Sequence, residues 1–209
     1  MHSRSSGTSR PARTPPRGGW APRNIALARS FLGGHALREV AHGHMEALAI
    51  RFRAVAALAE RSRLEMVYVD YVRAGAPVVV EHRVGSRLHI AVSAAGRAWL
   101  CTAPAVEVDA LVGELEVLHS NWPQLQARLQ IAREDLATRG FTRSYGEVRA
   151  GVNSVAVPLR SPVDRSLVVF SLAIQDTIMQ PAQCDAVLGP ALKDMVAAVE
   201  RELVGFGRD

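Results

Sequence analysis

The groups in this 209-residue chain that could do chemistry are few. They are His42 and His44, Ser93 with Asp70 and His89, the cysteines Cys101 and Cys184, and three dispersed aromatics, Trp99, Trp122 and Tyr145. His42 and His44 flank a single residue, which on a helix points them about 200° apart and keeps them from sharing a metal. Ser93, Asp70 and His89 are the types needed for a nucleophile, an orienting acid and a base, yet nothing in their spacing brings them together. The two cysteines are too few and too distant for a disulfide framework and lack metal-ligand spacing, so a reducing cytoplasm is the expected setting. The aromatics are too scattered for a base-stacking platform, and helix packing accounts for the tryptophans. No Gly-x-Gly-x-x-Gly, Walker A, Gly-x-Ser-x-Gly or His-Glu-x-x-His pattern occurs. The residues argue against an enzyme, and neither a cofactor nor a metal is expected.

The elements that would position these groups follow from periodicity. Apolar residues recur at helical spacing over 25–32, where Gly33-Gly34 is expected to stop the helix, and again over 37–53. Residues 55–60 and 64–73 read as a hairpin turning at Arg61-Ser62-Arg63, and 77–83 as a third strand between Gly75 and Gly85. Helices are predicted over 92–101, 106–119 and 122–139, the last ended by Gly140. Strands follow over 141–147, 152–160 and 166–175, and a final helix over 181–204. Two blocks of three strands separated by helices give an α+β class: an antiparallel sheet covered by helices.

Charge is distributed unevenly. The pI near 10.0 suggests a nucleic-acid binder. Yet residues 1–23 hold five arginines and no acid, equal to the chain's whole net charge of +5, so residues 24–209 balance to zero. The body therefore lacks the basic footprint of a DNA-binding domain. Residues 1–23 read as a disordered basic tail, with an arm gripping phosphates as the alternative. No apolar run approaches the ~20 residues of a membrane helix, and no membrane association is expected.

Three stretches resemble the effector-binding part of IclR-type transcriptional regulators. NIALARSFLGGHALREVAHGHMEAL (24–48) is similar to the family's connecting helix and the helix that opens its effector domain. VGSRLHIAVSAAGRAWL (84–100) is similar to its glycine-led loop running into a helix. RGFTRSYGEVRAGVNSVAVPL (139–159) with VVFSLAIQ (168–175) carries Gly151, Asn153 and Pro158 in the family's order. The resemblance implies a GAF- or PAS-like domain, a six-stranded antiparallel sheet flanked by helices around a small-molecule pocket. It divides the chain into the tail (1–23), a linker or dimerisation helix (24–34) and the effector-binding domain (35–209). The winged helix-turn-helix that precedes this domain in the family cannot be encoded by residues 1–23, so DNA would be reached only through a module outside this chain.

The resemblance also implies a site. Ser93, Ala94 and Ala95 open a helix with small residues, leaving backbone N–H groups where the helix dipole favours an anion, so a carboxylate could dock there without a lysine. Facing it, the resemblance places Ser144 on the loop after a strand at 141–143, with Ser154, Ser171 and Ala173 on the sheet and Val80 and Leu88 as apolar wall. Where some members that bind short keto acids carry an aspartate, a cysteine and a second serine, this chain has Ser144, Ser154 and Ala173. A larger or more apolar acid, such as an aromatic carboxylate, is the expected effector, sensed by a homodimer or tetramer. The alternatives are a stand-alone ligand-binding or dimerising protein and, lacking a credible base–nucleophile pair, a small enzyme.

Overall fold

The structure, a computed structural model, describes residues 22–73, 75, 82–161 and 165–206, with backbone alone for 22–34 and 206. Helix α1 (Pro22–Phe52) leads into strands β1 (Val55–Ser62), β2 (Glu65–Arg73) and β3 (Arg87–His89). Three helices follow: α2 (Ala94–Thr102), α3 (Ala105–Leu118) and α4 (Trp122–Arg139). Strands β4 (Thr142–Tyr145), β5 (Val152–Arg160) and β6 (Leu167–Gln175) complete one six-stranded sheet of order β3-β2-β1-β6-β5-β4. Every neighbouring pair is antiparallel. The fold is α+β, as the strand and helix blocks of the sequence indicate.

Each sheet face is covered. On one face Leu37, Ala41, Met45 and Leu48 of α1 meet Leu192, Val196, Val199 and Leu203 of the C-terminal helix over Leu58, Phe170 and Leu172. On the other, Trp99 and Leu100 of α2, Leu111 and Leu115 of α3, and Trp122, Leu125 and Leu129 of α4 cover Ala57, Ala59, Ala156 and Val169. The alternation along β5 and β6 therefore puts apolar residues on both faces, as a sheet sandwiched between helices requires.

The structure corrects several expectations. Gly33-Gly34 do not end the first helix, which runs unbroken to Phe52. A glycine costs a helix roughly 1 kcal/mol but stops it only where the chain turns left-handed, and that turn comes at Arg53, with φ 53°. The third strand among the described residues is Arg87–His89. Of the strand expected over 77–83, His82 and Arg83 are described and lie outside any strand, while 77–81 fall outside the described residues. Gly85, at φ 88°, makes the turn that lets Gly85 N and Ser86 O bond the backbone of Tyr68. Ser144 lies within strand β4 rather than on a loop after it. The final helix is interrupted: α5 (Pro181–Gln183) passes through a π-helical turn at Cys184–Leu188 into α6 (Gly189–Phe206). That extra residue presents Gly189 to the Phe141 ring, where a Cβ would stand 2.3 Å from a ring carbon.

Candidate ligand-binding cavity

Strands β1, β5 and β6 carry small side chains on the face toward α2 (Ala57, Ala59, Ser154, Ala156, Ser171 and Ala173), and small residues leave room. The register places Ala57 opposite Ser171 and Ala173 opposite both Val55 and Ser154. Above them lies a cavity of about 90 Å³, several times the ~10–15 Å³ a single water needs. Its wall includes Leu88, Ser93, Ala94, Ala95, Ser154, Ser171 and Ala173, so seven of the residues singled out from sequence meet at one place. Ser144 is not in the wall: its hydroxyl donates to Val92 O at 3.1 Å and ties β4 to the approach of α2. Val80 lies outside the described residues.

The wall also contains Arg53, Tyr68, Tyr71, His82, Arg149 and Gln175, which the sequence reading did not name. Tyr68 and Tyr71 are three residues apart, and strict alternation puts them on opposite faces. A bulge opposite Leu58/Ala59 inserts Val69 as an extra residue, so both rings face the cavity with centroids 5.9 Å apart. Arg149 and Val148 arrive on the β4–β5 connection, which turns at Gly146 (φ 70°) and Gly151 (φ 79°). Arg53 arrives as the residue that ends α1.

The hydroxyls are already engaged. Ser93 caps α2, accepting from Gly96 N at 3.1 Å and donating to His89 O at 3.0 Å. Ser154 donates to Ser144 O at 3.2 Å. Burial, with Tyr71 adding, pushes the Tyr68 phenol well above its usual pKa against a hydrogen bond from Ser171, so Tyr68 is a neutral hydroxyl group. Burial, with the Arg149 charge adding, holds His82 below the usual histidine value. Its ring meets Tyr68 edge-on at 5.6 Å. By contrast, the amides of Ala94 and Ala95 have no acceptor among the described residues, as expected of the first turn of a helix. Among the described residues, no carboxylate lines the cavity and neither Arg53 nor Arg149 forms an ion pair. The cavity is apolar-walled and electropositive, a setting for an anion with a hydrophobic body.

Beneath it, charges are paired. The Arg97 guanidinium, 3% exposed, bonds Glu147 Oε1 at 2.9 Å and Oε2 at 2.6 Å, and also the carbonyls of Ala91 and Arg143. The Ser93–His89–Asp70 grouping is not assembled: Asp70 bonds His42 on the α1 side of the sheet, while Ser93 lies on the other. His42 and His44 diverge, His44 reaching Glu202 at 2.8 Å. No cluster suited to a metal occurs among the described residues.

Residues 29–201 match the bacterial transcriptional regulator IclR C-terminal family. The chain belongs to that family. Its sheet and helices are those of an IclR-type effector-binding domain. The resemblance read from the sequence holds over residues 29–201, and the six-stranded antiparallel sheet flanked by helices agrees with it. An IclR family transcriptional regulator from Brucella abortus superposes with a TM-score of 0.77 at 31% identity, covering 85% of this chain and 67% of that one. The HTH-type transcriptional regulator TsaQ1/TsaQ2 of Comamonas testosteroni is 27% identical over 170 residues, 80% of this chain. The IclR domain here spans 61% of that protein's length. An IclR homolog from Microbacterium hydrocarbonoxydans, complexed with 4-hydroxybenzoate, shares the fold with a TM-score of 0.68 at 21% identity, over 88% of this chain and 75% of that one. No helix among the described residues is long and apolar enough to cross a membrane.

Proposed function

We propose that this domain senses a small organic acid, an aromatic carboxylate above all, and that occupancy of the cavity sets promoter binding by an oligomeric IclR-type regulator. The observation that carries the reading is an electropositive cavity, with no carboxylate among its described lining residues, where the Ala94 and Ala95 amides that open α2 have no acceptor among the described residues. The ligand's carboxylate accepts from these amides at the positive end of α2. Its ring lies between Tyr68 and Tyr71 on one side and Leu88 on the other. The serines support the wall rather than read the ligand, since Ser93 and Ser154 already bond backbone groups. The bound 4-hydroxybenzoate of the Microbacterium homolog is consistent with a ligand of this kind. Among the described residues the Ser93, His89 and Asp70 grouping is not assembled, which supports reading the domain as a binder of its ligand. DNA is contacted by a module other than this domain, through a homodimer or tetramer.

Thermal-shift titration and calorimetry with a panel of aliphatic and aromatic acids test the proposal. Saturable stabilisation by an aromatic acid is expected, and weaker stabilisation by short aliphatic ones. No shift with any acid at millimolar concentration would overturn it.

A further inference from the structure

We propose that the ligand carries two acidic groups on one ring, the second held by Arg53 and Arg149 at the opposite end of the cavity from the α2 amides. This rests on the carboxylate reading above and deepens it. A monoacid needs one anion site, which the Ala94 and Ala95 amides provide. Two further guanidinium groups, without an acidic partner among the described residues, then line the same cavity, and together they favour a second anion.

Their placement fits one ring. Val92 O and Ala94 O are held by Ser144 and Thr142, which set the entry of α2 level with Ala173 and Ser171 through β5. Gln175 lies two to four residues further along β6, beside Val152 and toward Arg53. At about 3.4 Å per residue that gap is roughly 7–13 Å, which a benzene diacid and the reach of an arginine side chain span together. Tyr68, Tyr71 and His82 supply flat contacts between the two ends.

The backbone at Arg53 points the same way. Helix α1 ends there with Ala54 N bonding Ala49 O at 3.0 Å, and Arg53 itself is left-handed, φ 53°. Glycine suits that position and any side chain is strained in it. An arginine held in such a conformation, its side chain in the cavity wall, is strain of the sort found at ligand clamps. It also makes the end of α1 part of the site, so a ligand gripping Arg53 acts directly on the helix that leaves the domain.

Calorimetry with benzoate and the three benzenedicarboxylates, on the wild-type chain, Arg53→Gly and Arg149→Gln, tests the proposal. At least one diacid is expected to bind about tenfold or more tighter than benzoate, the scale of a charge-assisted contact. Each variant is expected to remove that advantage, lowering diacid affinity by about tenfold and benzoate affinity by clearly less. Glycine relieves the left-handed strain, so Arg53→Gly should melt no lower than wild type, which separates loss of binding from loss of fold. Benzoate binding as tightly as every diacid, or diacid affinity unchanged in both variants, overturns the second pole and leaves the carboxylate reading intact. Failure of every acid, benzoate included, overturns both.

Discussion

His42 Nδ1 on α1 stands 2.9 Å from Asp70 Oδ2 on β2, and the other oxygen of Asp70 accepts the Tyr71 amide at 2.8 Å. The Asp70 side chain is 7% exposed and faces α1, whereas the ring of Tyr71 lines the cavity on the opposite face. Ordinary alternation puts the neighbours Asp70 and Tyr71 on different sides of the sheet, and the bulge at Val69 brings Tyr71 to the same face as Tyr68. One buried carboxylate thus fixes α1 to the backbone of a cavity-wall residue.

Removing that carboxylate should be costly on both faces. Asp70→Ala is expected to destabilise the domain by about 2 kcal/mol, since a buried amide and the histidine both lose an acceptor. It should also weaken aromatic-acid binding several-fold without touching the ligand. His42→Ala, at a side chain 54% exposed, should cost about 1 kcal/mol or less and leave binding within about twofold. Urea denaturation and calorimetry on the two variants check both halves.

Two glycines should respond in opposite directions. A Cβ on Gly96 would stand 2.0 Å from Ile90 O, a backbone atom that cannot step aside. Gly96→Ala is expected to cost about 3 kcal/mol or more and to displace the first turn of α2, so acid binding should be lost with it. Gly113, mid-way along α3, has nothing within 4 Å of its would-be Cβ. Gly113→Ala should stabilise by about 0.5–1 kcal/mol through helix propensity alone. Thermal melts of both, compared with wild type, read out the contrast.

Much of this architecture is legible in the sequence, and the exceptions have physical causes. Helix α4 announces both ends, with Pro123 in its first turn and Gly140 left-handed after it. Strands β5 and β6 run the lengths their apolar content suggests, and Pro158 is tolerated in β5 because it lies past Ala156, where the pairing with β4 stops. The convergence of Ser93, Ala94, Ala95, Ser154, Ser171 and Ala173 follows from a capped helix lying over alternating small residues. Tyr68 and Tyr71 escape notice because the bulge leaves no sequence mark and alternation separates them. Arg53 escapes because a left-handed position normally announces itself with glycine, and Arg149 because it sits on a turn with no period. Ser144 has the right side chain, but the nearest free acceptor, Val92 O, turns it away.

The Glu147 carboxylate should be a pH-dependent latch. Burial works against its charge, but hydrogen bonds from Arg97 and the charges of Arg97 and Arg128 outweigh it and hold its pKa below the usual value. A depressed carboxyl contributes stability that is fully present above the unfolded pKa, near 4.5, and is lost as pH falls through the folded value. Glu147→Ala leaves the buried Arg97 fork unpaired and is expected to cost about 3 kcal/mol at pH 7. It also frees the turn carrying Val148 and Arg149, so diacid affinity should drop. The stability gap between wild type and variant should narrow in denaturation series taken from pH 6 to pH 3.

His89, paired with His119, should itself govern a second window, nearer neutrality. Their Nε2 atoms lie 2.8 Å apart, and His89 Nδ1 accepts the Ala91 amide at 3.2 Å. Nδ1 of His89 therefore has no proton, and its Nε2–H donates to His119. Burial and the His119 charge depress the His89 pKa, with Glu65 opposing. A histidine depressed on folding favours the fold while neutral. Its contribution is present above about pH 6.5 and is lost as pH falls through the folded value. Protonation at Nδ1 also evicts the Ala91 amide, beside the carbonyl of His89 that receives Val92 N, Ser93 N and the Ser93 hydroxyl. Acidification from pH 7 to pH 5 should then lower stability and loosen the entry of α2 together. His89→Gln keeps an acceptor for Ala91 but cannot titrate, and should flatten most of that slope, with His82, depressed in the same direction, leaving the remainder. An unchanged slope in His89→Gln would assign the acid sensitivity to other groups.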